Sequence, residues 1–238
     1  MNSLHSITTT NTTTNTATNT TTNTTTNTAI NTTNNINTNN TTININKKLN
    51  KLNSKWVVWY HNPSDNNWDL KSYKNVFEFN NLEDYFKFLN TWENNLPELK
   101  LSMFFIMRKI DEYEYIYPMW EDKNNKMGGC WSFKVDSNRI NDLWKVLTFY
   151  LIGENIGNNI ENSIKINGMS FSPKKGFCII KIWNNSKEFD KNNFNKELHK
   201  YINIDSCLYK SHLENISKDL KKKEKFRRNK NKKTYWNR

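Results

Sequence analysis

The order of elements predicts an α+β domain with one antiparallel sheet and helices on one side of it. Short runs of aromatic and β-branched residues end in turn-forming clusters, as strands do. Three segments carry apolar residues at spacings of three and four, as half-buried helices do. With six glycines in 238 residues, no Gly-rich phosphate loop follows a strand, so a doubly wound nucleotide fold is not expected.

Residues 1–46 are almost wholly Thr and Asn with scattered Ile, and contain no Lys, Arg, Asp or Glu. Such a segment cannot bury enough apolar surface to offset its ordering entropy, so it is expected to be a disordered arm. Its Asn-X-Thr triplets arise from composition, because no secretory apolar region precedes them. The arginines of a mitochondrial presequence are missing too, and no apolar run approaches the roughly 18 residues of a membrane span. The folded domain is expected over residues 47–217. From Lys218 to Arg238 eleven Lys and Arg face only Asp219 and Glu224, so +9 of the net +12 sits there. That run reads as a disordered basic tail, with nonspecific RNA binding or nuclear import as alternatives. Cys130, Cys178 and Cys207 form no close pair, which argues against a disulfide framework or a zinc knuckle and for a reducing compartment, cytoplasmic or nuclear.

Lys55-Trp-Val-Val-Trp-Tyr60 reads as a strand buried on both faces and ended by His61-Asn-Pro-Ser-Asp65. Trp68 then stands in a loop between Asn67 and Asp69, without local apolar neighbours to explain it. A helix is predicted over residues 80–92: Asn80 or Asn81 caps it, acids follow, and Leu82, Tyr85, Phe86 and Leu89 form its stripe. Residues 101–106 and 113–117 are predicted strands joined by a turn at 108–112, and residues 130–135 another. The segment 139–154 is the clearest helix, with Ile140, Leu143, Trp144, Leu147 and Leu151 in one stripe. Val146, Phe149 and Tyr150 lie off that stripe, which implies either a wide core face or a docking surface. Residues 164–172 and 177–183 form a hairpin through Pro173-Lys-Lys-Gly176, a helix follows over 194–202, and residues 204–209 close the order as a strand. Ile179, Lys181 and Trp183 share one face of their strand, a combination of charge and aromatic surface that suits a ligand.

The stretch Tyr117-Pro-Met-Trp-Glu-Asp-Lys-Asn-Asn-Lys-Met-Gly-Gly-Cys-Trp131 most needs a functional explanation. Trp120 and Glu121 follow a proline and precede a polar run ending in Gly128-Gly129, which reads as a loop carrying an aromatic plate beside a carboxylate. A carboxylate is acceptor-only, so the pair suits a flat ligand with two parallel N–H donors, as guanine offers through N1 and its 2-amino group. The plainer alternative is a core tryptophan with a solvated neighbour. No catalytic set, metal motif or cofactor motif accompanies it: the four histidines are scattered and no Ser sits in a nucleophile elbow. An enzyme is not expected.

Trp56-X-X-Trp59, Trp68, Pro-Met-Trp120-Glu121-Asp, Gly-Gly-X-Trp131, Leu-Ile-Gly-Glu154, Ile-Trp183 and Tyr-X-Ser-His212 resemble, in order and near spacing, the eukaryotic translation initiation factor 4E family over about residues 50 to 218. The resemblance implies a single domain with a curved antiparallel sheet, about three helices on its convex face and a cap-binding slot on its concave face. It implies that Trp68 and Trp120 sandwich the 7-methylguanine of a messenger RNA cap, that Glu121 accepts from its N1 and 2-amino groups, and that Trp183 packs against the methyl group. For the phosphates it points to Lys174 or Lys175, to Lys181 in place of a basic position that is Ile179 here, and to Lys218. Cys130 stands where many members are basic.

The resemblance also implies a partner surface formed by Leu82, Phe86, Lys145, Phe149 and Gly153. Here Asn50-Lys51-Leu52 replaces the family's His-Pro-Leu, Phe86 replaces a Trp, and Lys145 and Phe149 replace leucines. The expected partners are capped messenger RNA, a scaffold protein resembling initiation factor 4G and inhibitory 4E-binding proteins, with the protein itself monomeric and not membrane-bound. A cap-binding repressor, or a general RNA-binding module working through the basic tail, are the alternatives.

Overall fold

The computed structural model describes residues 49–236 except 96, 97, 99 and 100, and in the N-terminal arm only the two-residue strands Asn37–Thr38 and Thr41–Thr42, which pair antiparallel. At 37–38, 41–42, 94–95 and 230–236 only the backbone is described. The disorder expected of residues 1–46 otherwise lies outside the described residues. Residues 49–238 cluster as one compact unit.

Seven strands build its sheet: β1 (Lys51–His61), β2 (Tyr73–Asn81), β3 (Met103–Lys109), β4 (Gly129–Val135), β5 (Ile166–Lys174), β6 (Phe177–Asn184) and β7 (Leu208–Ser211). They lie in the order β2-β1-β3-β5-β6-β4-β7, and every pairing is antiparallel. Three long helices complete the fold: α1 (Leu82–Asn95), α2 (Ile140–Ile152) and α3 (His212–Trp236). The expected curved α+β architecture is the one observed.

Alternation along the strands divides the apolar residues between the two faces of the sheet. On one face Trp56, Val58, Phe79, Phe104, Ile106, Met169, Phe171, Ile180 and Ile182 pack against Tyr85, Phe88 and Trp92 of α1 and the stripe of α2. Trp92 joins the layers, with ring centroids 4.2 Å from Phe104 and 4.8 Å from Trp144. Burying a side chain such as Phe88 or Phe104 contributes about 1.5–3 kcal/mol, so this face is the main source of stability. The other face gathers Val57, Trp59, Tyr73, Phe105, Met107, Ile116, Cys130 and Trp183, covered only in part by loop residues 115–120. That partly covered face is where a ligand can reach the sheet.

Helix α1 starts where Asn81 Oδ1 accepts from Asp84 N–H at 2.8 Å, a side-chain N-cap. The stripe read on α2 is buried as expected, while Phe149 off it is 52% exposed.

Several expectations are corrected. Residues 113–117 form one isolated bridge, Lys109 with Tyr115, and no strand, because the Asp111 carboxylate accepts from the backbone N–H groups of Tyr113 and Glu114 and turns the chain away. Residues 194–202 hold a 3₁₀ turn, Lys196–Lys200, in place of a helix. Phe194, Leu198 and Ile202 are still buried, so their spacing marked core residues and not an α-helix. The strand at Tyr73–Asn81 was not foreseen, although Phe77 and Phe79 alternate with polar residues in it. The last strand is Leu208–Ser211, starting four residues and ending two residues later than read from the sequence. The basic segment from Lys218, expected to be a disordered tail, continues α3. Lys, Arg, Glu and Leu are good helix formers, and the 3.7 Å pair Glu214–Lys218 has the favourable i,i+4 order.

Candidate functional site

The loop carrying Trp120 and Glu121 is fixed by polar contacts that its sequence supplies. Asp122 accepts from the N–H groups of Tyr117 (3.0 Å) and Asn124 (2.8 Å), closing the turn around the Trp-Glu pair. Asn125 is fully buried and its Nδ2 donates to the carbonyls of Tyr117 (2.8 Å) and Met119 (2.9 Å). Asn167, on β5, donates to Asn125 Oδ1 and to the Asn124 carbonyl, both at 2.8 Å. His212, at the start of α3, donates from Nδ1 to the Asn125 carbonyl at 2.8 Å. The loop is thus tied to the sheet and to α3, and its ligand groups are preorganised.

Gly128 and Gly129 end the loop because nothing larger fits. A Cβ on Gly128 would lie 1.9 Å from the Asn184 carbonyl oxygen, and one on Gly129 2.5 Å from that of Lys210. At the Lys175-Gly176 hairpin turn the reason differs: Gly176 has φ +83°, with open space around it.

Trp68 is 51% exposed and stacks flat on the buried His61, with centroids 4.2 Å and planes 4° apart. His61 Nε2 donates to the Asn67 carbonyl at 2.9 Å, which holds the imidazole as a backing plate. Tyr73 links the two loops: its ring lies 6.5 Å from that of Trp68, and burial together with the nearby Glu121 carboxylate pushes its hydroxyl pKa up. Glu121 itself is exposed, and Trp120 is half-buried against the cluster that contains Tyr73. Trp68, Trp120 and Glu121 therefore converge on one region. Trp183 forms part of its floor, only 2% exposed, with Nε1 donating to Ser170 Oγ at 3.0 Å and its ring 4.9 Å from His212.

Register places a set of lysines on the same face as Trp183. Lys174, Ser172 and Ser170 pair with Phe177, Ile179 and Lys181, and Lys134, Ser132 and Cys130 with Ile179, Lys181 and Trp183, while Lys210 pairs with Cys130. Burial pushes the Cys130 thiol pKa up, against the pull of the Lys181 and Lys210 ammonium groups beside it. Lys134 sits over the Phe177 ring at 4.6 Å. Lys134 and Lys210 were missed in the sequence, although alternation from Cys130 through Ser132 to Lys134 was a usable signal. Lys175 is exposed in the hairpin turn, and Lys218 lies on α3, paired with Glu214.

On the helical face Phe86 and Phe149 are 53% and 52% exposed and flank Tyr85, at 5.6 and 6.3 Å. Lys145 pairs with Glu93, Leu82 is half-buried, and Gly153 caps the end of α2. Asn50 donates from its backbone N–H and from Nδ2 to Glu83, joining the start of β1 to α1. Among the described residues no group of three His, Cys, Asp or Glu could hold a metal ion, and no helix is long and apolar enough to cross a membrane.

A single antiparallel sheet with α1 and α2 on one face, and tryptophans, a carboxylate, lysines and the root of α3 on the other, defines a class of α+β binding domain. The chain belongs to the eukaryotic initiation factor 4E family, whose description, Eukaryotic initiation factor 4E, matches residues 51–228. It is 33% identical over 142 residues to the eukaryotic translation initiation factor 4E of Eremothecium gossypii, covering 57% of this chain and 62% of that protein. It is 31% identical over 146 residues to that of Saccharomyces cerevisiae, covering 58% and 62%. The chain thus spans a little under two thirds of the length of these relatives. The fold is similar to that of C. elegans eIF4E-3 in its complex with the 4E-binding protein Mextli and cap analog, with TM-score 0.57, 21% identity, and 71% and 96% of the two chains covered.

Proposed function

We propose that this protein binds the 7-methylguanosine cap of messenger RNA and recruits a scaffold protein through its helical face to start translation. The observation that carries the reading is that Trp68 and Glu121 lie beside Tyr73 while Trp120 packs on the same apolar cluster, with the Trp-Glu loop locked by Asn125, Asn167 and His212. Trp68 and Trp120 stack on the two faces of the base, each contributing about 1–3 kcal/mol. Methylation at N7 makes the base cationic, which adds about 0.5–2 kcal/mol against indole faces and gives preference for the methylated form. Glu121 accepts from N1–H and the 2-amino group, selecting guanine. Trp183 closes the floor beside the methyl group. Lys174, Lys175, Lys181 and Lys218, joined by Lys134 and Lys210, hold the phosphates as point charges without the bidentate geometry of arginine. The names of the relatives, and the cap analog and 4E-binding protein bound to the C. elegans neighbour, support the reading.

Tryptophan fluorescence during titration with 7-methyl-GTP and GTP tests it. Quenching is expected from the methylated nucleotide at much lower concentration than from GTP. Trp68→Ala and Trp120→Ala should each weaken binding by about five- to 150-fold, the equivalent of one stacked plate. Glu121→Gln replaces one of the two acceptor oxygens with a donor facing a donor and removes the charge, and should cost about 1.5–3 kcal/mol. Equal weak quenching by both nucleotides would reject the slot as read.

The partner surface is read from Phe86 of α1 and Phe149 of α2, two exposed aromatic side chains on either side of Tyr85. They suit the apolar face of an amphipathic helix from a scaffold resembling initiation factor 4G, or from an inhibitory 4E-binding protein. Phe149→Asp is expected to remove scaffold protein from pull-downs on immobilised 7-methyl-GTP while leaving cap binding intact. If the unmodified protein retains the cap but recovers no scaffold, the initiating role fails and the repressor alternative stands.

A further inference from the structure

We propose that α3 is a second RNA-contacting element, holding the phosphate backbone of the transcript beyond the cap; this rests on the cap-binding reading above. Helix α3 begins at His212, whose ring packs on Trp183, so the basic helix is rooted at the floor of the slot. The lysine face leads to the same place, since Lys181 and Lys210 flank Cys130 and Lys210 lies two residues before the helix. The lysine face and the root of α3 therefore adjoin at Trp183 and Cys130.

The chemistry of the helix selects the partner. Lys218 and Lys222 are paired with Glu214 and Asp219, at 3.7 and 3.8 Å. Lys221, Lys223, Lys225, Arg227 and Arg228 are exposed and have no ion-pair partner among the described residues. An anionic membrane would require a sustained apolar stripe. Leu213, Ile216 and Leu220 start one, but Lys223, Glu224 and Arg227 follow on the same face, so beyond Leu220 charge surrounds the axis. Charge on all sides, with Phe226 73% exposed among it as a stacking plate, suits a flexible polyanion that also offers bases.

The test compares the full chain with the variant Lys221→Gln/Lys223→Gln/Lys225→Gln/Arg227→Gln/Arg228→Gln, which keeps helix propensity and removes charge. Binding of 7-methyl-GTP, of a capped oligoribonucleotide of about 20 nucleotides and of the uncapped oligoribonucleotide is measured between about 50 and 200 mM salt. The full chain should bind the capped oligonucleotide at least about tenfold more tightly than 7-methyl-GTP at the lower salt. The variant should keep its affinity for 7-methyl-GTP and lose that advantage. If three of the five charges contact phosphates, the slope of log affinity on log salt falls by about 2, an affinity change of about twentyfold across this range. Equal affinity of the full chain for 7-methyl-GTP and the capped oligonucleotide, or an advantage that survives in the variant, overturns the proposal. If 7-methyl-GTP fails to bind, the slot reading falls on its own and the uncapped oligonucleotide decides for α3. Binding that the variant loses then supports the role of α3, and absence of binding, as for a helix that instead docks an acidic protein, rejects it.

Discussion

Glu154→Ala is expected to lower the free energy of unfolding by about 3–5 kcal/mol, the usual cost of stranding a buried charge. Glu154 is 6% exposed at the end of α2 and grips Arg108 of β3 in a bidentate pair, Nη1 to Oε1 at 2.6 Å and Nη2 to Oε2 at 2.8 Å. Ser54 of β1 donates to the same carboxylate at 2.7 Å, and Arg108 also donates from Nη2 to the Ile166 carbonyl at 2.9 Å. The guanidinium lies 4.7 Å from the centroid of Trp56. One carboxylate thus ties α2, β1, β3 and the start of β5 together, and its removal leaves the guanidinium without a counter-charge. Glu154 also adopts φ 54°, a left-handed conformation that costs a side-chain-bearing residue about 1–2 kcal/mol. Glu154→Gly should therefore lose about 1 kcal/mol less than Glu154→Ala. Urea unfolding of both variants measures the difference. A loss below about 1 kcal/mol in the alanine variant would mean that the pair is solvated and contributes like a surface ion pair.

Acid should destabilise the protein through His212. Burial lowers its pKa from the ordinary value of 6.5 to about 4, and Nε2 has no partner among the described residues. Between these values the unfolded chain binds a proton that the folded chain refuses, so stability falls as pH falls. The contribution is fully present above about pH 6.5, is lost progressively toward pH 4, and totals about 3 kcal/mol. His212→Asn keeps a donor for the Asn125 carbonyl without a titrating group. Between about pH 7 and pH 5 the native protein should lose about 2 kcal/mol more than this variant. Parallel pH dependences in the two proteins would remove His212 as the cause. Because His212 also holds the Trp120-Glu121 loop, loss of 7-methyl-GTP binding should accompany the acid transition.

Much of the site was legible before any fold was known, because its residues are anomalous where they stand. Trp68 between Asn and Asp, and Trp120 beside Glu121 in a polar loop, have no local apolar reason to be there. The residues that make the site work left no comparable trace. Asn125 and Asn167 are asparagines in an asparagine-rich chain, and their burial and mutual 2.8 Å hydrogen bond depend on a loop and a strand whose residues are 42 apart in sequence. His61 is visible as a turn residue, while its role as the plate behind Trp68 exists only in three dimensions.

The elements divide in the same way. The period of 3.6 in residues 140–152 and the alternation in residues 56–60 and 129–135 are local, so α2, β1 and β4 could be read directly. Phe194, Leu198 and Ile202 have helical spacing, yet the chain there is a 3₁₀ turn, since spacing records which residues are buried and not the backbone path that buries them. The sequence alone determined which side chains must be covered and which remain unexplained at the surface, because hydrophobic pattern and residue chemistry are properties of neighbouring positions. Only the tertiary structure decided which lysines share a face with Trp183, where Glu154 finds Arg108, and that the basic segment is a helix rooted at His212, because register and long-range hydrogen bonding are set by partners distant in sequence.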